Sequence, residues 1–77
     1  MYFDLKTING SSKQALYHAV RGKELQSKNF IFDISNSELE MIDIYEQINS
    51  LYRRNDTQWI EIVIIKKDEN IFVYEKQ

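Results

Sequence analysis

Apolar and polar positions along the chain form alternating blocks that predict strands and helices in turn. The predicted strands are short runs rich in β-branched and aromatic residues, bounded by polar turn residues. They cover residues 2–8, 29–35, 59–65 and 71–74. A helix over residues 12–23 has serine caps and an apolar stripe at helical spacing. A second helix follows a capping-box pattern at residues 37–40 and ends at about Arg53.

The resulting order, β-α-β-α-β-β, predicts a single small α+β (α/β-like) domain with a mixed four-stranded sheet and helices packed on it. Two successive β-α-β crossovers would place three strands parallel. A turn over residues 66–70 would then add the last strand antiparallel at an edge. Residues 59–65 are nearly continuously apolar, which predicts a central strand that is covered on both faces.

Composition narrows the class of protein. The chain has 77 residues, of which 43% are hydrophobic, enough for one packed core. The absence of cysteine excludes a disulfide scaffold and a thiolate metal site, and the single histidine excludes a histidine-rich zinc cluster. Because no apolar run reaches the length of a membrane helix and the start has no signal-peptide pattern, we expect a cytoplasmic protein with no membrane partner. At a net charge of −2, nucleic-acid binding would require a local basic patch.

The candidate chemistry begins with Asp4 and Lys6, which alternate on the first predicted strand and therefore project from the same face. A carboxylate can hold Mg²⁺, and an ammonium can orient an attacking water or stabilise charge that develops on phosphorus. Such a pair suits metal-assisted phosphodiester cleavage. A D-x-K pattern alone also describes an exposed strand with an ordinary charge pair, so both interpretations stay open.

The chain resembles the C-terminal nuclease domain of CdiA proteins of contact-dependent growth inhibition, a tRNA-cleaving family that also occurs at the ends of other bacterial and phage polymorphic toxins. The similarity extends over most of the chain and lies in the segments FDLKT, NGSSKQAL, NFIFDIS, LYRR and WIEIVIIKKDENIFVY. It implies the PD-(D/E)xK arrangement of metal-dependent nucleases, with Mg²⁺ or Mn²⁺ as cofactor and RNA, in particular tRNA, as substrate. On that match Asp4 is the metal-binding acid and Lys6 the catalytic lysine. The residues that would support them near the phosphate are Thr7, Lys13 and Gln14.

The family pattern also includes an upstream strand that carries another acid, preceded by a helix. This chain starts inside the second strand of that hairpin, so residues 1–77 are expected to form one nuclease-like domain truncated at its N-terminus. A divalent cation held by one carboxylate is bound weakly, because such sites usually need two or more acidic ligands.

Four further charged residues are candidates for the same site. Asp33 interrupts an apolar strand. If its strand is the neighbour of the first one, Asp33 would be a second acid beside Asp4. Otherwise it would cap the next helix or pair with a lysine. Arg21, Arg53 and Arg54 are candidate nucleic-acid-binding residues through contacts with phosphate. The Arg53-Arg54 pair also favours the dipole at a helix end, which requires no ligand.

A different class of function is also compatible with the sequence. The acidic pI of 5.3 fits a non-catalytic protein of phage or mobile-element origin that binds and inhibits a host protein or nucleoprotein to block a defence system. Its carboxylates would take the place of phosphates in the partner's binding channel. An ordinary solvated helix face explains the same acids. They are Glu38, Glu40, Asp43 and Glu46.

We also expect a homodimer. Unprotected edges of a four-stranded sheet invite pairing with a second copy of the chain. A set of amphipathic tyrosines suits such an interface, and equally suits base stacking. The set comprises Tyr17, Tyr45, Tyr52 and Tyr74.

Overall fold

The computed structural model of the protein describes residues 2–23 and 27–76, and it confirms the predicted order of elements. The strands are β1 (Asp4–Thr7), β2 (Asn29–Asp33), β3 (Ile62–Lys67) and β4 (Asn70–Glu75). The helices are α1 (Ala15–Val20) and α2 (Met41–Arg53). Together they form one four-stranded sheet with two helices, so the α+β assignment is confirmed. No helix in the described residues is long and apolar enough to cross a membrane.

The strands follow one another across the sheet in chain order, β1-β2-β3-β4. β1 pairs parallel with β2, β2 pairs parallel with β3, and the final hairpin joins β3 to β4 antiparallel. The apolar strand β3 therefore has a partner on each side, as its sequence predicts. β1 and β4 are the two edge strands.

Both helices cover the same face of the sheet. On that face, Phe30 and Phe32 of β2 lie in register with Val63 and Ile65 of β3, and all four side chains are fully buried. Each buried side chain of this size contributes about 1.5–3 kcal/mol to folding. The helices complete the core with Leu16, Val20, Ile44, Ile48 and Leu51.

The other face of the sheet carries no helix within the described residues. We call it the open face, and its central row consists of Leu5, Ile31, Ile64 and Val73, in register across the four strands. The two edge residues, Leu5 and Val73, are 62% and 58% exposed, and the two central ones are half-buried. The expectation that β3 is covered on both faces is therefore wrong, because the two crossovers place α1 and α2 on the same side.

Helix α1 occupies only part of the predicted range 12–23. The chain before it forms a turn in which the Ser12 hydroxyl accepts a backbone N–H at 3.1 Å. The buried Gln47 side chain of α2 makes hydrogen bonds with backbone groups at the start of α1. Its Oε1 accepts the Leu16 N–H at 3.0 Å, and its Nε2 donates to the Ser12 carbonyl at 3.1 Å. Beyond the other end, Gly22 has a φ of 75°, a conformation that glycine adopts without strain.

Helix α2 begins after the predicted capping box rather than within it. The Asp43 carboxylate accepts the Glu40 N–H at 3.2 Å, so the cap lies three residues later than predicted. The Ser37 hydroxyl instead accepts the Leu39 N–H at 3.1 Å in the preceding turn. The predicted end of the helix at Arg53 is confirmed.

The strand boundaries also differ from the predicted ones, most clearly in β3. The strand begins at Ile62 because Trp59 closes a turn, in which its indole N–H donates to the Asp56 carbonyl at 2.8 Å. The Trp59 ring packs edge-on against Phe30, with 5.8 Å between centroids. The strand then continues to Lys67, so the hairpin turn is shorter than predicted. β1 and β2 are also shorter than predicted, and β4 is longer.

Candidate functional site

Asp4 and Lys6 lie together on the edge strand β1, as their alternation predicts. They are in register with the buried Phe30 and Phe32, so they belong to the helix-covered side of the sheet. Lys6 Nζ lies 3.1 Å from Asp4 Oδ2, and the two side chains are 24% and 15% exposed, respectively. The pair is therefore a largely covered ion pair at the edge of the sheet.

The Asp4 carboxylate is only partly satisfied. Its Oδ2 is buried and, apart from the ion pair, accepts no aligned hydrogen bond within the described residues. The ion pair with Lys6 offsets part of the cost of burying this oxygen, and a second donor or positive charge would offset more of it. The Lys6 ammonium has three N–H donors and is partly exposed, so it can donate to an anionic oxygen at the surface.

Asp4 is one carboxylate rather than a complete metal site. The part of the chain that the structure describes contains no group of three histidine, aspartate or glutamate side chains that could hold a metal ion. Mg²⁺ is usually bound by one or two carboxylates together with substrate phosphate oxygens and water. Asp4 therefore fits one ligand of such an ion, and the other ligands would have to come from outside this set of residues.

Asp33 does not lie beside Asp4, although β1 and β2 are neighbours. Asp33 is in register with Thr7, three residues further along β1 than Asp4. That offset is roughly 10 Å at about 3.3 Å per residue. Because the offset is odd, Asp33 also lies on the opposite face of the sheet. The expectation of a second acid beside Asp4 is therefore wrong.

The partners of Asp33 are local. Its Oδ1 accepts the Ser35 N–H at 3.0 Å, and its Oδ2 lies 3.8 Å from Lys66 Nζ. These contacts, the hydrogen bond from Ser35 foremost, lower the pKa of the Asp33 carboxyl below its ordinary value. Asp33 thus stabilises the turn after β2 and pairs with a lysine.

The three supporting residues are divided between two surfaces. Thr7 is exposed at the end of β1 and lies on the open face, opposite to the face that carries Lys6. Lys13 and Gln14 precede α1 and line a small hollow between the two helices, which Arg54 also lines. The structure therefore brings Lys13, Gln14 and Arg54 together, in a hollow whose lining does not include the ion pair of β1.

Arg54 is held by neighbouring side chains, a role that the sequence analysis missed. Its guanidinium carbon lies 3.8 Å from the centroid of the Tyr17 ring, and its Nε donates to Asp56 Oδ1 at 3.2 Å. The Tyr17 hydroxyl donates to Asp56 Oδ2 at 2.6 Å, and this bond, together with Arg54, lowers the pKa of the Asp56 carboxyl. Arg54 thus links α1 to the end of α2. Arg21 and Arg53 are exposed at the C-terminal ends of α1 and α2.

A larger cleft, which we call the α2–β4 cleft, lies at the opposite edge of the sheet from Asp4. Its volume is about 550 Å³, and three tyrosines converge on it, Tyr45 and Tyr52 from α2 and Tyr74 from β4. The only signal for it in the sequence is the tyrosine set, of which Tyr17 lies elsewhere. The cleft itself depends on the return of the final hairpin beside α2, which no local pattern specifies.

Comparison with known proteins identifies relatives of both the sequence and the fold. The model of the family described as the contact-dependent growth inhibition CdiA C-terminal domain matches residues 1–71. The structure is similar to a CdiA-CT/CdiI toxin and immunity complex from Burkholderia pseudomallei, with a TM-score of 0.73 and 21% sequence identity. The similarity covers 95% of this chain and 55% of that chain, so this chain spans about half the length of its structural relative. No curated protein matches the sequence.

Proposed function

Because this chain belongs to the CdiA C-terminal domain family of contact-dependent growth inhibition, we propose that it is a toxin-type nuclease domain that cleaves RNA, with tRNA as its substrate. The observation that carries the proposal is the ion pair of Asp4 and Lys6 on β1. β1 is an edge strand, so within the described residues no further strand covers its outer side. An RNA backbone can therefore approach the pair from that side.

Lys6 is the residue that we expect to act on the phosphate. Its ammonium can donate to a phosphate oxygen on which negative charge develops, and such prepositioned donors lower the barrier because they need no reorganisation during the reaction. Asp4 keeps the ammonium in place at a distance of 3.1 Å. The two residues together supply an oriented cation at a partly covered surface, where electrostatic interactions are stronger than in bulk water.

We also propose that the reaction uses Mg²⁺ or Mn²⁺, with Asp4 as one ligand. When bound, such an ion would offset phosphate charge and make a bound water more acidic. The support on the protein side is the buried Asp4 Oδ2, which lacks an aligned hydrogen bond. Phosphate oxygens and water would complete the ligand set, as is common for Mg²⁺.

A protein partner is part of the proposal. The structural relative was solved as a toxin and immunity complex. A nuclease that cleaves cellular RNA must be blocked in the cell that makes it, so we propose a partner of the immunity type for this chain. A homodimer is a separate proposal, based on the exposed apolar residues of the open face and on the two edge strands, which have no outer partner within residues 2–23 and 27–76.

Incubation of the purified protein with total tRNA tests the proposal. We expect discrete fragments on a denaturing gel when Mg²⁺ or Mn²⁺ is present and none in EDTA. Ribosomal RNA and duplex DNA serve as substrate controls. Intact tRNA with every divalent cation tried would reject the proposed nuclease.

The alternative is a non-catalytic protein that binds and inhibits a host protein or nucleoprotein. The single carboxylate on β1 favours it, because nuclease metal sites usually have two or more acids. Glu38, before α2, and Glu46, within it, are exposed and could replace phosphates on a basic partner, whereas Glu40 and Asp43 are engaged with each other's backbone in the capping box at the start of the helix. An inactive wild type that inhibits a host nucleoprotein, and loses this inhibition in Glu38→Gln and Glu46→Gln, would establish the alternative.

A further inference from the structure

We propose that the α2–β4 cleft binds one nucleotide of an RNA strand, with the base stacked on Tyr45 and the phosphate at Arg53. The inference rests on the proposed function for its ligand class, since that function makes RNA the substrate. The cleft lies on the edge strand β4, whereas Asp4 and Lys6 lie on the edge strand β1. The cleft would therefore contribute to the affinity for RNA rather than to the chemical step.

The cleft has the size and access that a nucleotide needs. Its volume of about 550 Å³ lies within the roughly 300–1,000 Å³ of typical ligand pockets. β4 has no further strand on its outer side within the described residues, so the cleft lies at a free edge of the sheet. A nucleotide can therefore enter while the chain on either side of it remains in solvent.

Tyr45 provides the stacking surface. Its side chain is 50% exposed on α2, and its ring centroid lies 6.3 Å from that of Tyr74, with 50° between the ring planes. The contact with Tyr74 restrains the Tyr45 ring, while half of the side chain remains accessible. Stacking on an exposed aromatic ring tolerates any base, because every base has a π-face.

Tyr52 fixes the inner wall of the cleft. Its hydroxyl lies within hydrogen-bond distance of two carbonyl oxygens, 3.1 Å from that of Glu61 and 3.2 Å from that of Tyr74. Burial, with a smaller contribution from the charge of Glu75, raises the pKa of Tyr52 to about 12. The two carbonyl contacts hold the Tyr52 side chain against the backbone, so this wall of the cleft is in place without a ligand.

Arg53 is the cation available for a phosphate. It is exposed in the last turn of α2 and has no ion-pair partner among the described residues. A guanidinium can bind a phosphate through two parallel hydrogen bonds. Lys76 adds a second positive charge, although its Nζ donates to the Gln58 carbonyl, and Glu75 opposes the two cations. Asn49 offers a donor and an acceptor to the edge of a base.

The distance across the sheet limits what one ligand can reach. Three interstrand spacings of about 4.8 Å separate β1 from β4, roughly 14 Å in all. A mononucleotide bound in the cleft is too short to reach the opposite edge strand, whereas a strand of several nucleotides that passes around the protein surface can contact both edges. The affinity for RNA should therefore rise with strand length.

Equilibrium binding tests the cleft separately from catalysis. A fluorescently labelled single-stranded RNA is titrated with protein in EDTA, so that cleavage does not occur, and its anisotropy is recorded. Tyr45→Ala should weaken binding about tenfold, and Tyr45→Phe should bind like the wild type because it keeps the ring. Arg53→Gln should weaken binding to all sequences and reduce the slope of log K against log salt concentration by about 1.

Matched controls remove the same side-chain types elsewhere. Tyr2→Ala removes an exposed tyrosine outside the cleft, and Lys67→Gln removes a positive charge at the far end of the final hairpin. Both should bind RNA like the wild type, and circular dichroism checks the fold of every variant. The inference is overturned if folded Tyr45→Ala and Arg53→Gln bind as well as the controls.

The two proposals can fail independently. A protein that needs Tyr45 and Arg53 to bind RNA but does not cleave tRNA would reject the proposed function and support the cleft. A protein that cleaves tRNA but binds RNA equally well without either side chain would reject the cleft alone.

Discussion

The buried Gln47 side chain of α2 accepts the Leu16 N–H of α1 at 3.0 Å. The same amide donates from Nε2 to the Ser12 carbonyl at 3.1 Å, so one side chain fixes the start of α1 from the neighbouring helix. Lys13 and Gln14 lie within this turn. Gln47 therefore also determines where these two candidate residues lie.

Gln47→Met should destabilise the protein while nearly preserving the side-chain volume. It leaves the buried Leu16 N–H without a partner, which costs about 1–3 kcal/mol. Urea unfolding followed by circular dichroism measures the change. Gln58→Met, at an exposed position, is the matched control and should unfold like the wild type. Equal stability of the two variants would show that the interhelical hydrogen bonds contribute nothing.

Tyr52 should ionise at a higher pH than an ordinary tyrosine. Burial, more than the charge of Glu75, raises its pKa from 10.0 to about 12. Because the folded state holds this proton more tightly than the unfolded state, the contribution to stability is complete below pH 10 and is lost as the pH rises towards 12.

Ultraviolet difference titration measures this ionisation directly. The wild type should show an ionisation step near pH 12 that Tyr52→Phe removes. Titration curves of the folded wild type and Tyr52→Phe that show no difference near pH 12 would contradict the assignment.

Substitution of one valine on each face of the sheet tests which face belongs to the core. Val63 is fully buried under the helices, and Val73 is 58% exposed on the open face. Val63→Asp buries an unpaired charge and should prevent folding, whereas Val73→Asp should leave the fold intact. Circular dichroism and thermal unfolding distinguish the two outcomes. Unfolding of both variants would mean that the open face is also part of a required core.

The order and pairing of the strands could be predicted because they follow from local patterns. The apolar runs, the helical spacing and the short final turn each involve residues that are close in sequence. The rules for connections between strands then allow few arrangements of the sheet. The open face could not be predicted in this way. Ile62 and Ile64 are as hydrophobic as Val63 and Ile65, so composition does not tell a covered face from an open one.

Contacts within the candidate site could be predicted only between residues that are close in sequence. Asp4 and Lys6 are two residues apart on one strand, and their contact follows from that spacing. The face occupied by Asp33 depends on the register of β1 against β2, in which a shift of one residue reverses the faces. The contact of Arg54 with Tyr17 depends on the packing of two helices, and no local pattern in the sequence indicates that packing.

The open face should be the contact surface of a homodimer. In a two-fold interface the same surface of both copies is in contact, so the exposed Leu5 would pack against the open face of the second copy. Light scattering should show a dimer for the wild type and a folded monomer for Leu5→Asp. A wild type that remains monomeric at high micromolar concentration would exclude the dimer, and a dimer that survives Leu5→Asp would place the interface elsewhere.

Single-turnover cleavage of tRNA by Lys6→Met tests the central claim most directly. The variant keeps the length of the side chain and removes the ammonium 3.1 Å from Asp4. Lys28→Met, at an exposed position, is the matched control. We predict that the wild type and Lys28→Met cleave tRNA at the same rate, and that folded Lys6→Met binds tRNA but cleaves it about 100- to 1,000-fold more slowly. Cleavage by Lys6→Met at the wild-type rate would contradict the assignment of the site.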